Sequence, residues 1–214
     1  MILSANFATH EARKDSIDEA VASIIDQVHK VRVYYNDYIP EDRPWAQVVG
    51  PDYTDRSKFY FLQENEIYFS CDDDICYPPN YVEMTLEKLE QHGGVITHHG
   101  RKLTGTGRHY YNGHETFHFR LPVYREGEID VAGTGVSAFF TNEFMPDIFQ
   151  YDQDKMVDLL FSLEAAKKGV PITVVPHRKG WLEMIPTQSS IYSEEKSDCR
   201  EQSRLADEIY RLNH

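Results

Sequence analysis

Three consecutive aspartates, Asp72, Asp73 and Asp74, follow the run EIYFSC and precede ICYPPNY. Adjacent carboxylates repel, and each raises the others' pKa unless a cation compensates. A hard divalent ion such as Mg2+ or Mn2+ meets that demand, because it prefers oxygen ligands, takes one or two carboxylates and completes its shell with water and substrate phosphates. The residues before the run are apolar and read as a buried strand. If the strand continues, Asp72 and Asp74 point to one face and Asp73 to the other, giving an Asp-x-Asp pair at a sheet end. Pro78 and Pro79 stiffen the chain beyond it. The alternative is a solvated acidic turn. An EF-hand is excluded, because no glycine stands at the sixth loop position.

The whole chain narrows the ligand. A formal net charge of -13 over 214 residues argues against a general nucleic-acid surface, which needs clustered Lys and Arg. If the ligand is itself a phosphate, a bound divalent cation answers the repulsion. Hydrophobic residues make up 41% and charged residues 27% of the chain, and no apolar stretch approaches the length of a membrane span. Neither a nucleic-acid partner nor a membrane span is expected. Cys71, Cys76 and Cys199 are odd in number and lack CxxC spacing, so they read as reduced thiols. The N-terminus has no basic n-region or cleavage site, which places the expected location in a cytoplasm.

The aspartates must be positioned by the elements around them. ILSANF reads as a buried strand and DSIDEAVASIIDQVHK as a helix, with Ile17, Ala20, Val21, Ile24, Ile25 and Val28 on one face and Asp15 or Ser16 as N-cap. VRVYYND and WAQVVG read as strands, SKFYFLQEN as a helical turn, and EIYFSCDDD as a further strand. Residues 80–92 pattern as a helix with Val82, Leu86 and Leu89 apolar, and GGVITHHG as a strand. Residues 101–130 lack clean periodicity and read as a long loop or hairpin excursion. VAGTGVSAFFT reads as a glycine-interrupted strand, DKMVDLLFSLEAAKKG as a helix capped by Gly169, and PITVVPH as the last strand. The segment from Ser193 to the end patterns as a polar helix with Leu205, Ile209 and Leu212 apolar. It stops in mid-pattern, which is compatible with one domain cut from a longer protein. The expected fold class is α/β, a mainly parallel central sheet flanked by helices, in which ligands bind outside the carboxyl ends of strands.

Taken in order, ILSANF, VYYND, DRSKF, YFSCDDD and YPPNY resemble the GT-A fold glycosyltransferases over about residues 1–185. More narrowly they resemble the N-terminal glycosyltransferase domain of a large chlorovirus protein concerned with capsid glycans. The resemblance implies a Rossmann-like nucleotide-sugar half over 1–100, an acceptor half over 101–185 and a C-terminal helix over 186–214. It implies a UDP-sugar donor, a glycan or glycoprotein acceptor and Mn2+ or Mg2+ as cofactor. It assigns Asp74 to the metal, Asp72 to the metal and the donor ribose or sugar, and Asp73 to support. Asn36 and Asp37 would lie by the base or ribose, Arg56 and Lys58 by the base or diphosphate, and Arg101, with His98 and His99, by the donor. The pattern His-x-x-Gly in PHRKGW implies His177 as a metal or phosphate ligand, beside Trp181. Asp158 would contact the acceptor or deprotonate it, and Gly133, Thr134 and Gly135 would approach the acceptor.

Each assignment has a plainer alternative. Asn36-Asp37 reads equally as an ordinary turn, Arg56 and Lys58 as surface charge, and His177 as a surface histidine after a strand. Gly133 and Gly135 permit a bulge as readily as a close approach, and Asp158 suits the N-terminal turn of a helix. His98 and His99 read more simply as hydrogen-bonded structural histidines. No motif decides between retention and inversion. A sugar nucleotidyltransferase shares the architecture but needs a glycine-rich loop where this chain has SANFATHEARK. A non-catalytic metal-dependent carbohydrate-binding module is the third alternative.

Overall fold

Ser4, Ala5, Asn6 and Phe7 are all buried, as expected of a strand covered on both faces, and they lie in β1 (Ile2–His10) at the heart of the sheet. The computed structural model describes residues 1–187 and 199–214. The chain leaves β1 through a short 3-10 turn, Glu11–Arg13, and enters α1 (Lys14–Ile24). That early entry makes Arg13 the N-cap. Asp15 and Ser16, expected as caps, lie inside the first turn, where Ser16 Oγ donates to the Arg13 carbonyl at 3.0 Å. The helix also ends sooner than its pattern predicts, tightening to 3-10 over Ile25–Gln27.

Next come β2 (Lys30–Asn36), β3 (Ala46–Gly50), a 3-10 turn over Thr54–Phe59 and β4 (Glu66–Cys71). β4 stops at Cys71, so the aspartates form a turn rather than a strand end, and the expected alternation of their side chains does not apply. The turn leads to β5 (Ile75–Cys76), α2 (Tyr81–His92) and β6 (Val95–Thr97). Residues 101–130 hold more structure than their pattern revealed: β7 (Gly100–Lys102) pairs with β8 (Glu115–Phe117), and β9 (Gly127–Ile129) returns to the main sheet. Gly133 to Gly135 separate β10 (Val131–Ala132) from β11 (Val136–Phe140). Then follow α3 (Val157–Lys168), β12 (Ile172–Val174), β13 (Glu183–Met184) and α4 (Arg200–Asn213). Gly169 closes α3 with φ 65°, a left-handed cap that glycine adopts without strain. Leu205 and Ile209 of α4 are buried as predicted, but Leu212 is 49% exposed. The expected helical residues 193–198 lie outside the described residues.

The eight-stranded sheet has the order β3-β2-β1-β4-β11-β6-β12-β9. β3, β2, β1 and β4 are mutually parallel, β11 runs antiparallel to both β4 and β6, β12 is parallel to β6, and β9 is antiparallel. The result is a mostly parallel α/β sheet with helices on both faces. Ile67, Phe69 and Cys71 of β4 pack on the side of α1 and α2, while Tyr68 packs with Phe59 and Phe161 on the side of α3. α4 packs outside α3 through Leu205, Ala206 and Ile209. Among the described residues no helix is long and apolar enough to cross a membrane.

Candidate active site

Parallel strands leave their sheet at a common edge, and at that edge the ends of β1, β2 and β4, the Thr54–Phe59 turn and the first turn of α3 surround a cleft of about 840 Å3. The acidic turn forms part of its wall. Arg13 Nη1 lies 3.0 Å from Asp73 Oδ1 and 2.5 Å from Asp74 Oδ2, so one guanidinium nitrogen serves two buried carboxylates. Asp72 instead accepts from Lys58 Nζ at 2.5 Å and keeps its side chain 40% exposed. The pairing is therefore Asp73 with Asp74, not the Asp72 and Asp74 pair that strand alternation predicts. The Tyr77 hydroxyl accepts from the Asp72 amide at 2.8 Å and lies 2.7 Å from the Gly135 carbonyl, fixing the backbone under Asp72.

Burial pushes Asp73 up to about 7, with Asp74 and Asp72 adding to the effect and Arg13 opposing it. Asp74 is raised in the same way, by burial first and the Asp72 charge second. Asp55, also on the cleft wall, is pushed up to about 6 by loss of hydration despite the opposing Lys58. Lys58 itself would be lowered by burial, but Asp72, Asp55 and Asp158 together hold it above the usual lysine range. Six carboxylates line the cleft, Asp52, Asp55, Asp72, Asp73, Asp74 and Asp158, against four cationic side chains, Arg13, Lys58, Arg101 and Lys155.

Asp158 enters from the first turn of α3. Its Oδ1 accepts from the Thr134 amide at 2.8 Å and from Thr134 Oγ1 at 2.6 Å. Burial raises its pKa, and Lys58 and the Thr134 bonds oppose the rise. The glycines beside Thr134 are there for close approach: a Cβ on Gly135 would lie 1.9 Å from Asp72 Oδ2, and one on Gly133 would lie 2.3 Å from the His99 ring. Arg101 lines the same cleft, its guanidinium 4.8 Å from the Tyr110 ring centroid and its Nη1 donating to Thr116 Oγ1 at 2.6 Å. His99 also lines it, and burial lowers that imidazole to about 3, so it is neutral.

The remaining sequence-predicted residues are placed otherwise. Asn36 reaches the cleft, but its amide is engaged on both sides: Nδ2 donates to the Thr9 and Thr54 carbonyls and Oδ1 accepts from the Tyr53 amide and Ser57 Oγ. It holds the Thr54–Phe59 turn in place. Asp37 is exposed in a left-handed conformation, φ 55°, outside the cleft lining. Arg56 is buried and also outside it, pairing with Asp154 at 2.6 Å and donating to the Tyr151 carbonyl. His177 and Trp181 line a second cavity of about 620 Å3 with Pro78, Pro79 and Asn80, not the cleft that holds the aspartates. Trp181 Nε1 donates to Asn80 Oδ1 at 3.1 Å, and His98 is a core histidine bonded to Thr85 Oγ1 at 2.9 Å.

No protein-family model matches the chain, and no curated protein is significantly similar to it in sequence. Geometry alone speaks for the site. Among the described residues no three His, Cys, Asp or Glu side chains converge as a ready-made metal cage. Sequence reasoning missed Arg13, Asp55, Tyr77 and Gln202. Arg13 was the findable one, because it follows β1, the parallel neighbour of β4, and so emerges at the same sheet edge.

Proposed function

We propose that this chain is a metal-dependent glycosyltransferase of the GT-A type, moving a hexose or deoxyhexose from a UDP-sugar to a hydroxyl of a growing glycan. The observation that carries this reading is the Asp72-Asp73-Asp74 turn, set at the carboxyl end of β4 in a cleft of about 840 Å3 whose lining holds more carboxylates than cationic side chains. Clefts of roughly 300–1,000 Å3 suit small ligands of this size.

The donor set fits Mn2+ or Mg2+. Its oxygens are hard, and Asp72 keeps its carboxylate 40% exposed beside the buried Asp73 and Asp74. Although Arg13 pairs Asp73 with Asp74, the exposed Asp72 and the Asp74 carboxyl on which its charge acts would hold the ion; His177 lines the other cavity and does not fit this donor set. When bound there, the ion supplies Lewis-acid stabilisation of charge on the departing diphosphate. Lys58 and Arg13 add fixed positive charge beside it, already paid for by their bonds to the aspartates. Asp158 takes the hydroxyl proton of the acceptor as that oxygen attacks, the role a carboxylate has where the displacement is inverting. Thr134 holds one Asp158 oxygen, which orients the other, and the raised pKa makes the carboxylate a stronger base.

Donor hydrolysis or glycosyl transfer should require Mn2+ or Mg2+, and full activity in excess EDTA overturns the proposal. Glycan binding with no affinity for UDP in the presence of Mn2+ would favour a carbohydrate-binding module instead.

A further inference from the structure

α4 is more than a cover for α3. The Tyr110 amide donates to Ser203 Oγ at 3.2 Å and the Gly107 amide to Asp207 Oδ1 at 2.8 Å, so the helix is tied to the loop that carries Tyr110. These ties deliver Gln202, in the first turn of α4, to the wall of the cleft beside Tyr110. Gln202 is only 5% exposed, and among the described residues its Oε1 has no hydrogen-bond partner. Native proteins seldom bury an amide oxygen without a donor, because the lost hydration is not returned. An unpaired acceptor in a ligand cleft is a place for a ligand donor.

The strand order indicates which part of the ligand. At the shared edge, the acidic turn after β4 lies between the end of β2, where Asn36 is, and the β11 side, where Gly133 and Thr134 are. A diphosphate held at the turn therefore has its two substituents on opposite sides. Gln202 stands with Tyr110 and the stacked Arg101, whose strand β7 pairs with β10 just before Gly133. An amide oxygen only accepts, and a diphosphate offers no donors; the nucleoside and the glycosyl group both do, and the glycosyl group belongs on the side of Thr134, which holds the proposed base Asp158.

We propose that Gln202 is a sugar-recognition residue, its Oε1 receiving a hydroxyl of the glycosyl group carried by the nucleotide. This inference rests on the glycosyltransferase reading and goes beyond it by assigning a specificity role to the C-terminal helix.

Calorimetry on the full chain in Mn2+ tests it, with UDP, UDP-glucose, UDP-galactose and UDP-N-acetylglucosamine as probes and Gln202→Met and Gln202→Leu as variants. The expected result is that UDP affinity is retained, affinity for the best-bound UDP-sugar falls about tenfold or more, and the ligand-free melting temperature rises as an unpaired polar atom is removed. A lowered melting temperature in both variants makes Gln202 structural and overturns the inference. Equal losses for UDP and UDP-sugar, or no loss for either, also overturn it. Wild-type protein that binds no UDP in Mn2+ overturns the glycosyltransferase reading, and this inference falls with it.

Discussion

At the start of β4, Glu66 is 1% exposed and meets Arg32 through both guanidinium nitrogens, at 2.5 and 2.8 Å, while Ser4 Oγ donates at 3.0 Å and Gln63 adds a further bond. Just past its other end, Asp73 and Asp74 share one nitrogen of Arg13. Both clusters are buried, and burial alone would raise every carboxyl in them. At Glu66 the donors overcome burial and the pKa is lowered; at Asp73 and Asp74 burial and mutual repulsion win. A saturated pair joins strands and asks for nothing more. An unsaturated one is poised to take up positive charge.

The comparison breaks most visibly at its structural end. Glu66→Ala leaves Arg32 buried without its partner and should cost about 3–5 kcal/mol in urea unfolding. A cost below about 1 kcal/mol, the range of exposed pairs, would erase the contrast. At the other end the signs reverse. Asp74→Asn removes a repelling charge, so stability should hold or rise, while metal-dependent transfer falls about a hundredfold or more if the carboxylate acts where charge develops. Steady-state kinetics beside urea unfolding of the same variant reads both.

The pH dependence sharpens the same contrast. Asp55, near Lys58 and Asp158, has its carboxyl raised from 3.8 to about 6, by burial above all. Between those values the folded protein holds a proton that the unfolded chain has lost, so this contribution to stability is complete below the unfolded value and disappears as pH rises through about 6. Glu66, lowered, contributes in the opposite sense: its stabilisation is present above the ordinary carboxylate range and is lost on acidification. Between about pH 4 and 6 in metal-free buffer the melting temperature of the wild type should therefore fall relative to that of Asp55→Asn, a difference from which the opposing contribution of the buried histidines cancels. A difference that does not change with pH would mean that Asp55 is not perturbed as its surroundings require.

Much of this was legible in the sequence, for reasons that also explain what was not. Apolar periodicity located β1, β2, β4, α2 and α3, because strands and helices bury faces with fixed periods. It placed the aspartates correctly after β4 but gave them the wrong orientation, since nothing in EIYFSCDDD marks where the ladder stops. Arg13 and Asp73 are 60 residues apart, and only the parallel register of β1 and β4 brings them together. Asn36 was found for its position, yet its four bonds, one to β1 and three to the chain around the Thr54–Phe59 turn, are invisible in a turn-prone Asn-Asp pair. Gln202 lies on a helix whose pattern shows only its apolar face.

The smallest expected effect separates motif from geometry. The spacing in PHRKGW made His177 a metal ligand by resemblance, whereas the fold gives it other work. Its backbone bridges Val123 in both directions, at 2.9 and 3.0 Å, its Nδ1 lies 3.2 Å from the Val175 carbonyl, and its ring stacks on Trp181 at 6.1 Å. Burial lowers its pKa, which suits a neutral ligand and a packed core histidine alike. Position decides between them: His177 lines the second cavity and the aspartates line the first. His177→Ala should therefore leave Mn2+ affinity, measured by calorimetry on folded protein, within about twofold of wild type, because sites without shared partners act independently. Loss of a true ligand should cost far more, as Asp74→Asn would show in the same titration. A comparable loss in His177→Ala would bring the histidine to the acidic turn in the metal-bound protein, and the two cavities would then be parts of one site.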